Sequence, residues 1–168
     1  MTRGGGTAIL DAMITRIAAF TLMAASLAFA ADPFVGTWKP DLEKTKYISP
    51  GPAEAQRTRY MVIESTGADS RRISYFFASG KPDMTPSGKP IVIDLVADGK
   101  ERSTEGGGVR SSVRVDERHL RNTSKSSKGT TVTDVVISAD GKTMTETRKG
   151  TGFNTGRPVD EFLVFTKQ

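Results

Sequence analysis

The feature that most constrains this chain is its texture beyond residue 57. Short runs rich in β-branched and aromatic residues alternate with clusters of glycine, proline, aspartate and serine. Helical periodicity is almost absent there. Strands at regular spacing with turn residues between them specify an all-β sandwich or barrel. Residues 57–64, 71–79, 91–96, 109–115, 119–125, 130–138, 143–149 and 159–167 read as strands. The quartet Ala-Asp-Gly-Lys occurs twice, at residues 97–100 and 139–142, and both copies read as hairpin turns. Such short connections favour antiparallel pairing of consecutive strands. Closing the meander into a barrel also removes exposed edges.

A further strand precedes these. Residues 33–39, Pro-Phe-Val-Gly-Thr-Trp-Lys, contain the only tryptophan. Phe34 and Trp38 share strand parity, and Gly36 between them allows close approach of another backbone. This stretch reads as the first strand, with Trp38 closing one end of an up-and-down barrel of eight or nine strands. Residues 39–52 hold Pro40, Pro50 and Pro52 and read as a loop, with Leu42, Tyr47 and Ile48 as packing anchors. Asp41 suits the N-cap of a single helical turn over residues 41–46, and the prolines forbid a longer one. Residues 80–90, with three prolines and two glycines, form a second loop. Residues 101–108 end in three glycines and read as a mobile polar connection. On the strand after it, Val109, Val113 and Val115 share one parity.

The N-terminus reads as an export leader. Residues 17–30 are an apolar run preceded by Arg16, and Ala28-Phe29-Ala30 fits the small-x-small rule for cleavage before Ala31. Residues 1–30 are therefore expected to be a helical signal peptide, and residues 31–168 the single barrel domain. The run falls short of the roughly 20 residues that span a bilayer, so no stable membrane anchor is expected after cleavage. No cysteine comes after it for a lipid anchor, and no Arg-Arg pair precedes it. This points to the general secretory route and a periplasmic or extracellular location. Starting at Met13 rather than Met1 gives a more ordinary leader, and the mature product is the same.

Composition narrows the chemistry. With no cysteine the chain has no disulfide, thiolate metal site or thiol nucleophile, and His119 is its only histidine. The formal net charge is +5, of which the leader carries +1. The acids of the mature part are interspersed with its bases, as on a solvated mixed surface.

The first-strand Gly36-x-Trp38 resembles the lipocalin signature. More of the chain is similar to small exported bacterial lipocalin-like proteins: Gly36 to Lys39, the Leu- and Lys-bearing stretch 42–52 with its Pro-Gly-Pro, the hairpin 138–145, and the apolar-aromatic strand 159–168 with its terminal Lys-Gln. The resemblance implies an eight-stranded lipocalin-like barrel and no established activity. Lipocalins proper often hold apolar ligands in the lumen and stack an arginine on the tryptophan. Arg148 is the candidate for that stacking.

Barrels of eight strands either fill their interior or hold one small ligand. The candidate lumen residues are Trp38, Tyr60, Tyr75, Phe77, Ile93, Arg148 and Phe165. Glu146 and Arg148 share a face, as an exposed cross-strand pair, a buried pair or a polar anchor in the lumen. Asp116 and Glu117 are adjacent and point to opposite faces, so they read as a hairpin turn. No nucleophile–base pair, metal set, phosphate loop or Gly-x-Ser-x-Gly elbow is present, so no enzyme activity and no cofactor are expected. The densest basic segment, Arg118 to Lys128, has no interleaved aromatics for base stacking, and nucleic acid is not an expected partner. The expectation is a monomer that binds a small apolar or amphipathic ligand in the barrel. The alternative is an envelope-interaction protein acting through its basic surface and loops.

Overall fold

The computed structural model describes residues 32–47, 59–77 and 87–168. The expected leader, Ile48 with its proline loop, and residues 80–86 of the second loop lie outside the described residues. The described part is all β. Its strands are β1 (Gly36–Pro40), β2 (Lys46–Tyr47), β3 (Arg59–Gly67), β4 (Ser70–Phe77), β5 (Ser87–Val96), β6 (Arg102–Thr104), β7 (Gly108–Asp116), β8 (His119–Ser126), β9 (Gly129–Ile137), β10 (Thr143–Thr151) and β11 (Pro158–Lys167).

All pairings are antiparallel, in the order β5-β4-β3-β1-β11-β10-β9-β8-β7-β6, with β2 beside β11. Two meanders, β3 to β5 and β7 to β11, are joined where β1 sits between β3 and β11. Register shifts at Ser65/Gly67, Tyr75/Phe77 and Arg114/Asp116 are irregularities of the kind that bend strands and add coil. The sheet curls into a half-barrel. Its two meanders meet through the bridge between Asp98 and Val113 and a 2.8 Å hydrogen bond from Gly99 N–H to the Ser112 carbonyl.

One end of the half-barrel is filled. Trp38, Ile137, Leu163 and Phe165 belong to the buried core there, which continues through Phe34 and Met144 to the cavity lining, and Tyr47 packs against that core. Trp38 is 0% exposed, and its indole Nε1 donates to the Phe34 carbonyl at 2.8 Å. The turn at residues 32–35 thus folds back over the end that Trp38 closes.

Several local expectations are corrected. Two very short strands join the nine expected ones. Residues 101–108 are a tight hairpin, because β6 pairs with β7 from Arg102↔Arg110 to Thr104↔Gly108. Gly108 is required there: a Cβ would collide with the Lys125 carbonyl and the Phe153 ring. Leu42 is exposed rather than buried as an anchor. Asp41 does cap one turn, accepting from Lys44 N–H on its side chain and from Thr45 N–H on its carbonyl. The neighbour crowding Gly36 is the Lys167 side chain rather than a backbone. The valine face of β7 turns outward, with Val113 and Val115 exposed, while Ser112 on the other parity is buried.

Candidate functional site

The other end of the half-barrel holds a partly open cavity of about 650 Å3. Strand alternation decides which residues line it, and its two walls differ sharply in chemistry. Strands β3 to β5 supply an apolar wall. Met61, Tyr75 and Ile91 form one cross-strand row on it, and Ile63, Ile73 and Ile93 the next. Phe77 extends this wall at one end and Leu95 at the other.

Strands β7 to β11 supply a polar wall, also in rows. Arg110 pairs with Ser124, and Ser124 with Thr131. The next row runs Asn122, Thr133, Arg148, Glu161 across four strands. One layer deeper, Leu120 and Val135 lead to Glu146. Successive layers lie two residues apart along a strand, about 6–7 Å. Residues 152–159, between β10 and β11 and into the start of β11, complete the lining with Phe153, Arg157 and Val159. Their loop is tied to the β8–β9 turn, where Ser126 Oγ donates to the Phe153 carbonyl at 2.6 Å and Lys128 Nζ to the Asn154 carbonyl at 3.0 Å.

The charges on this wall are held, not loose. Arg148 Nη1 donates to Glu161 Oε2 at 2.8 Å, and Glu161 is buried. Glu146 is only 5% exposed, so the reading of Glu146 and Arg148 as an exposed surface pair is wrong. Arg110 donates from Nε to Ser124 Oγ at 3.2 Å, and among the described residues no carboxylate pairs with it. Asn122 Oδ1 is buried without a hydrogen bond in the protein.

Arg71 forms part of the cavity floor and is 2% exposed. Its Nε lies 2.6 Å from Asp32 Oδ2, and its guanidinium sits over the Phe34 ring at 5.1 Å. Arg114 approaches the same ring at 5.7 Å and the other Asp32 oxygen at 3.7 Å. The Arg71–Asp32 pair is close enough for strong attraction, yet Arg71 Nε and Nη2 make no aligned hydrogen bond. Asp32 and Phe34 thus sit between two guanidiniums, which fix the N-terminal turn as the plug under the cavity.

Of the residues singled out from sequence, the structure brings Tyr75, Phe77, Ile93 and Arg148 together around the cavity. Trp38 and Phe165 belong instead to the filled end. Tyr60 is on the opposite face of β3 from Met61, where its ring meets Phe76 edge-on at 6.2 Å. The cation over the Trp38 ring is Lys167, with Nζ 5.2 Å from the centroid, and not Arg148, which is engaged with Glu161. Sequence reasoning missed Arg71, although it shares parity with Ile73, Tyr75 and Phe77. It also missed the polar lining residues Asn122, Ser124, Thr131 and Thr133, whose strands look like solvated surface. Among the described residues no group of three or more histidine, aspartate and glutamate side chains is placed to hold a metal ion.

No protein-family model and no curated protein matches the chain. Solved structures do match its fold. A fatty-acid-binding protein of Schistosoma mansoni in complex with arachidonic acid superposes with a TM-score of 0.56 at 17% identity, over 81% of this chain and 96% of that one. A variant of the fluorescent protein UnaG superposes with a TM-score of 0.54 at 16% identity and the same coverages. At these identities the likeness concerns the fold, an antiparallel half-barrel of the fatty-acid-binding-protein kind.

Proposed function

We propose that this chain binds a small amphipathic molecule inside its half-barrel and acts as a carrier or receptor for it rather than as an enzyme. The observation that carries this reading is the cavity itself. Its volume of about 650 Å3 lies within the range of small-molecule sites, and one wall is almost wholly aliphatic and aromatic. Burying apolar ligand surface against Ile73, Tyr75, Phe77 and Ile93 supplies affinity, and the polar wall fixes orientation. The arachidonic acid complex of the fatty-acid-binding protein supports the reading by fold analogy alone.

On the same proposal the protein works outside the cytoplasm, after loss of residues 1–30. Support comes from the apolar run and its small-x-small end. The alternative role through a basic outer surface gains less. Arg72, Arg102, Arg121 and Lys125 are each ion-paired with a carboxylate, which leaves less free positive charge to attract an anionic polymer.

Native mass spectrometry of the protein from its own host, before and after organic extraction, tests the reading. A small-molecule mass that extraction removes is the expected result. A bare protein mass in both samples, with no mass taken up from a mixed lipid extract, would count against it. The same spectrum reports the N-terminus, expected at Ala31 or Asp32.

A further inference from the structure

Charge is distributed unevenly along the cavity, and this restricts the class of ligand. We infer that the site takes an amphiphile with a singly charged oxyanion head, seated tail inward, with the head at the outer end beside Arg110 and Arg157. The inference rests on the ligand-binding reading above and names its substrate class.

The lining contains Arg71, Arg110, Arg148 and Arg157 against Glu146 and Glu161. Two of these arginines are compensated: Arg148 bonds Glu161, and Arg71 lies against Asp32. Arg110 differs. Its Nε donates to Ser124 Oγ, but among the described residues its two terminal nitrogens make no hydrogen bond or ion pair, and on this half-buried side chain they are still reached by solvent. Arg157 is exposed, and its side chain likewise has no partner among the described residues.

Both lie toward the end of the cavity away from Trp38. The row Arg110, Ser124, Thr131, Gly150, Val159 crosses five strands there. Arg157 precedes Val159 by two residues, in the loop whose Phe153 ring packs over Gly108 of the β6–β7 hairpin. The uncompensated positive charge is therefore at the outer end. Glu146 is buried two rows deeper, about 13 Å along the strands, so an anionic head pushed inward would approach a carboxylate. At the outer end the same head meets free guanidinium nitrogens, whose planar fork matches an oxyanion. Half-burial leaves that attraction less screened than on an open surface. A neutral ligand covering Arg110 would strip water from a charge and return no partner. The tail then lies inward against Ile73, Tyr75 and Ile93.

The test is calorimetric titration of the extracted protein with decyl sulfate below its micelle-forming range, decanol and inorganic sulfate, at neutral pH and low salt. The first two share a tail and differ in head charge, and the third is the head alone. Decyl sulfate is expected to bind about tenfold more tightly than decanol, although decanol is the more apolar. Arg110→Gln is expected to bring that ratio close to one. Arg157→Gln, on an exposed side chain, is expected to lower it about threefold, and it carries the test if Arg110→Gln does not fold. Arg118→Gln, on the exposed β7–β8 turn, removes the same charge elsewhere and is expected to keep the ratio. If decanol binds as tightly as decyl sulfate, or if the ratio survives the substitutions at Arg110 and Arg157, the inference is wrong while ligand binding stands. Inorganic sulfate binding as tightly as decyl sulfate would mark a site for a free anion and would also overturn it. If neither ten-carbon amphiphile binds, the inference falls together with the reading it rests on.

Discussion

Trp38 does two jobs that no other side chain at its position could share. It fills the closed end, and its indole N–H holds the turn that carries Asp32 and Phe34 under the cavity. Trp38→Ala removes both and is expected to destabilise the fold by about 3–5 kcal/mol, seen as a lower urea midpoint. Trp38→Phe keeps much of the packing and loses the hydrogen bond, so its expected effect is smaller. An unchanged midpoint for the alanine variant would show that the plug is not what closes the barrel. Gly150 is constrained in a different way. Its φ is +121°, and a Cβ there would collide with the Thr130 carbonyl of the paired strand. Gly150→Ala should therefore destabilise by more than the roughly 1 kcal/mol that such a substitution gains at a compatible site, and thermal unfolding would register it. Arg71 shows where residue-level reading fails. A buried arginine and a solvated one look alike in a sequence, and its partner Asp32 is 39 positions away.

At the scale of strands, alternation says which residues share a face but not which face turns inward. On β4 the answer is plain, because Ile73, Tyr75 and Phe77 are all apolar on one parity. On β3 both parities are apolar, and only the pairing of Trp38 with Met61 shows that Tyr60 lies on the other side. On β7 the apolar parity is the wrong guide. Its valines face out because the inner face belongs to a polar cavity wall, which in sequence cannot be told from a hydrated surface. The outer face of β8 and β9 carries its own electrostatic ladder. Asp134 accepts from His119 Nε2 at 2.7 Å and from Arg121 Nε at 2.8 Å. Partial burial pushes its pKa up, but the hydrogen bonds from Arg121 and His119 outweigh this and hold it below the usual 3.8. Hydrogen bonds from Arg72 and Arg102 do the same to Asp94 and Asp98. A carboxylate with a depressed folded-state pKa contributes stability that is complete above its unfolded value and is lost as pH falls through the folded one. These exposed pairs are each worth little. The expected result is a modest loss of thermal stability from about pH 5 to about pH 2, part of which Asp134→Asn removes. A stability that rises over that interval would contradict the assignment.

For the whole molecule, the fold was legible and the site only partly so. Turn residues at regular intervals and period-two alternation specify an antiparallel meander, and the structure is one. Its division into a filled end and a hollow end depends on long-range register. Phe165 and Phe77 are both aromatic residues on inward-facing strand positions, yet one lies level with Pro40 and Met144 in the core and the other at the cavity. Nothing local distinguishes them. The central claim is that the hollow end is a binding site, and a blocked-cavity titration tests it most directly. Ile93 is on the apolar wall, opposite Ile73 and clear of the packed end. Ile93→Trp should fill the space while leaving the filled end intact, which circular dichroism and the melting temperature would confirm. Titration of a fluorescent apolar probe, 1-anilinonaphthalene-8-sulfonate, should give saturable one-to-one binding to the unaltered chain and at least tenfold weaker binding to a folded Ile93→Trp variant. No saturable binding, or equal binding by both, would contradict the account.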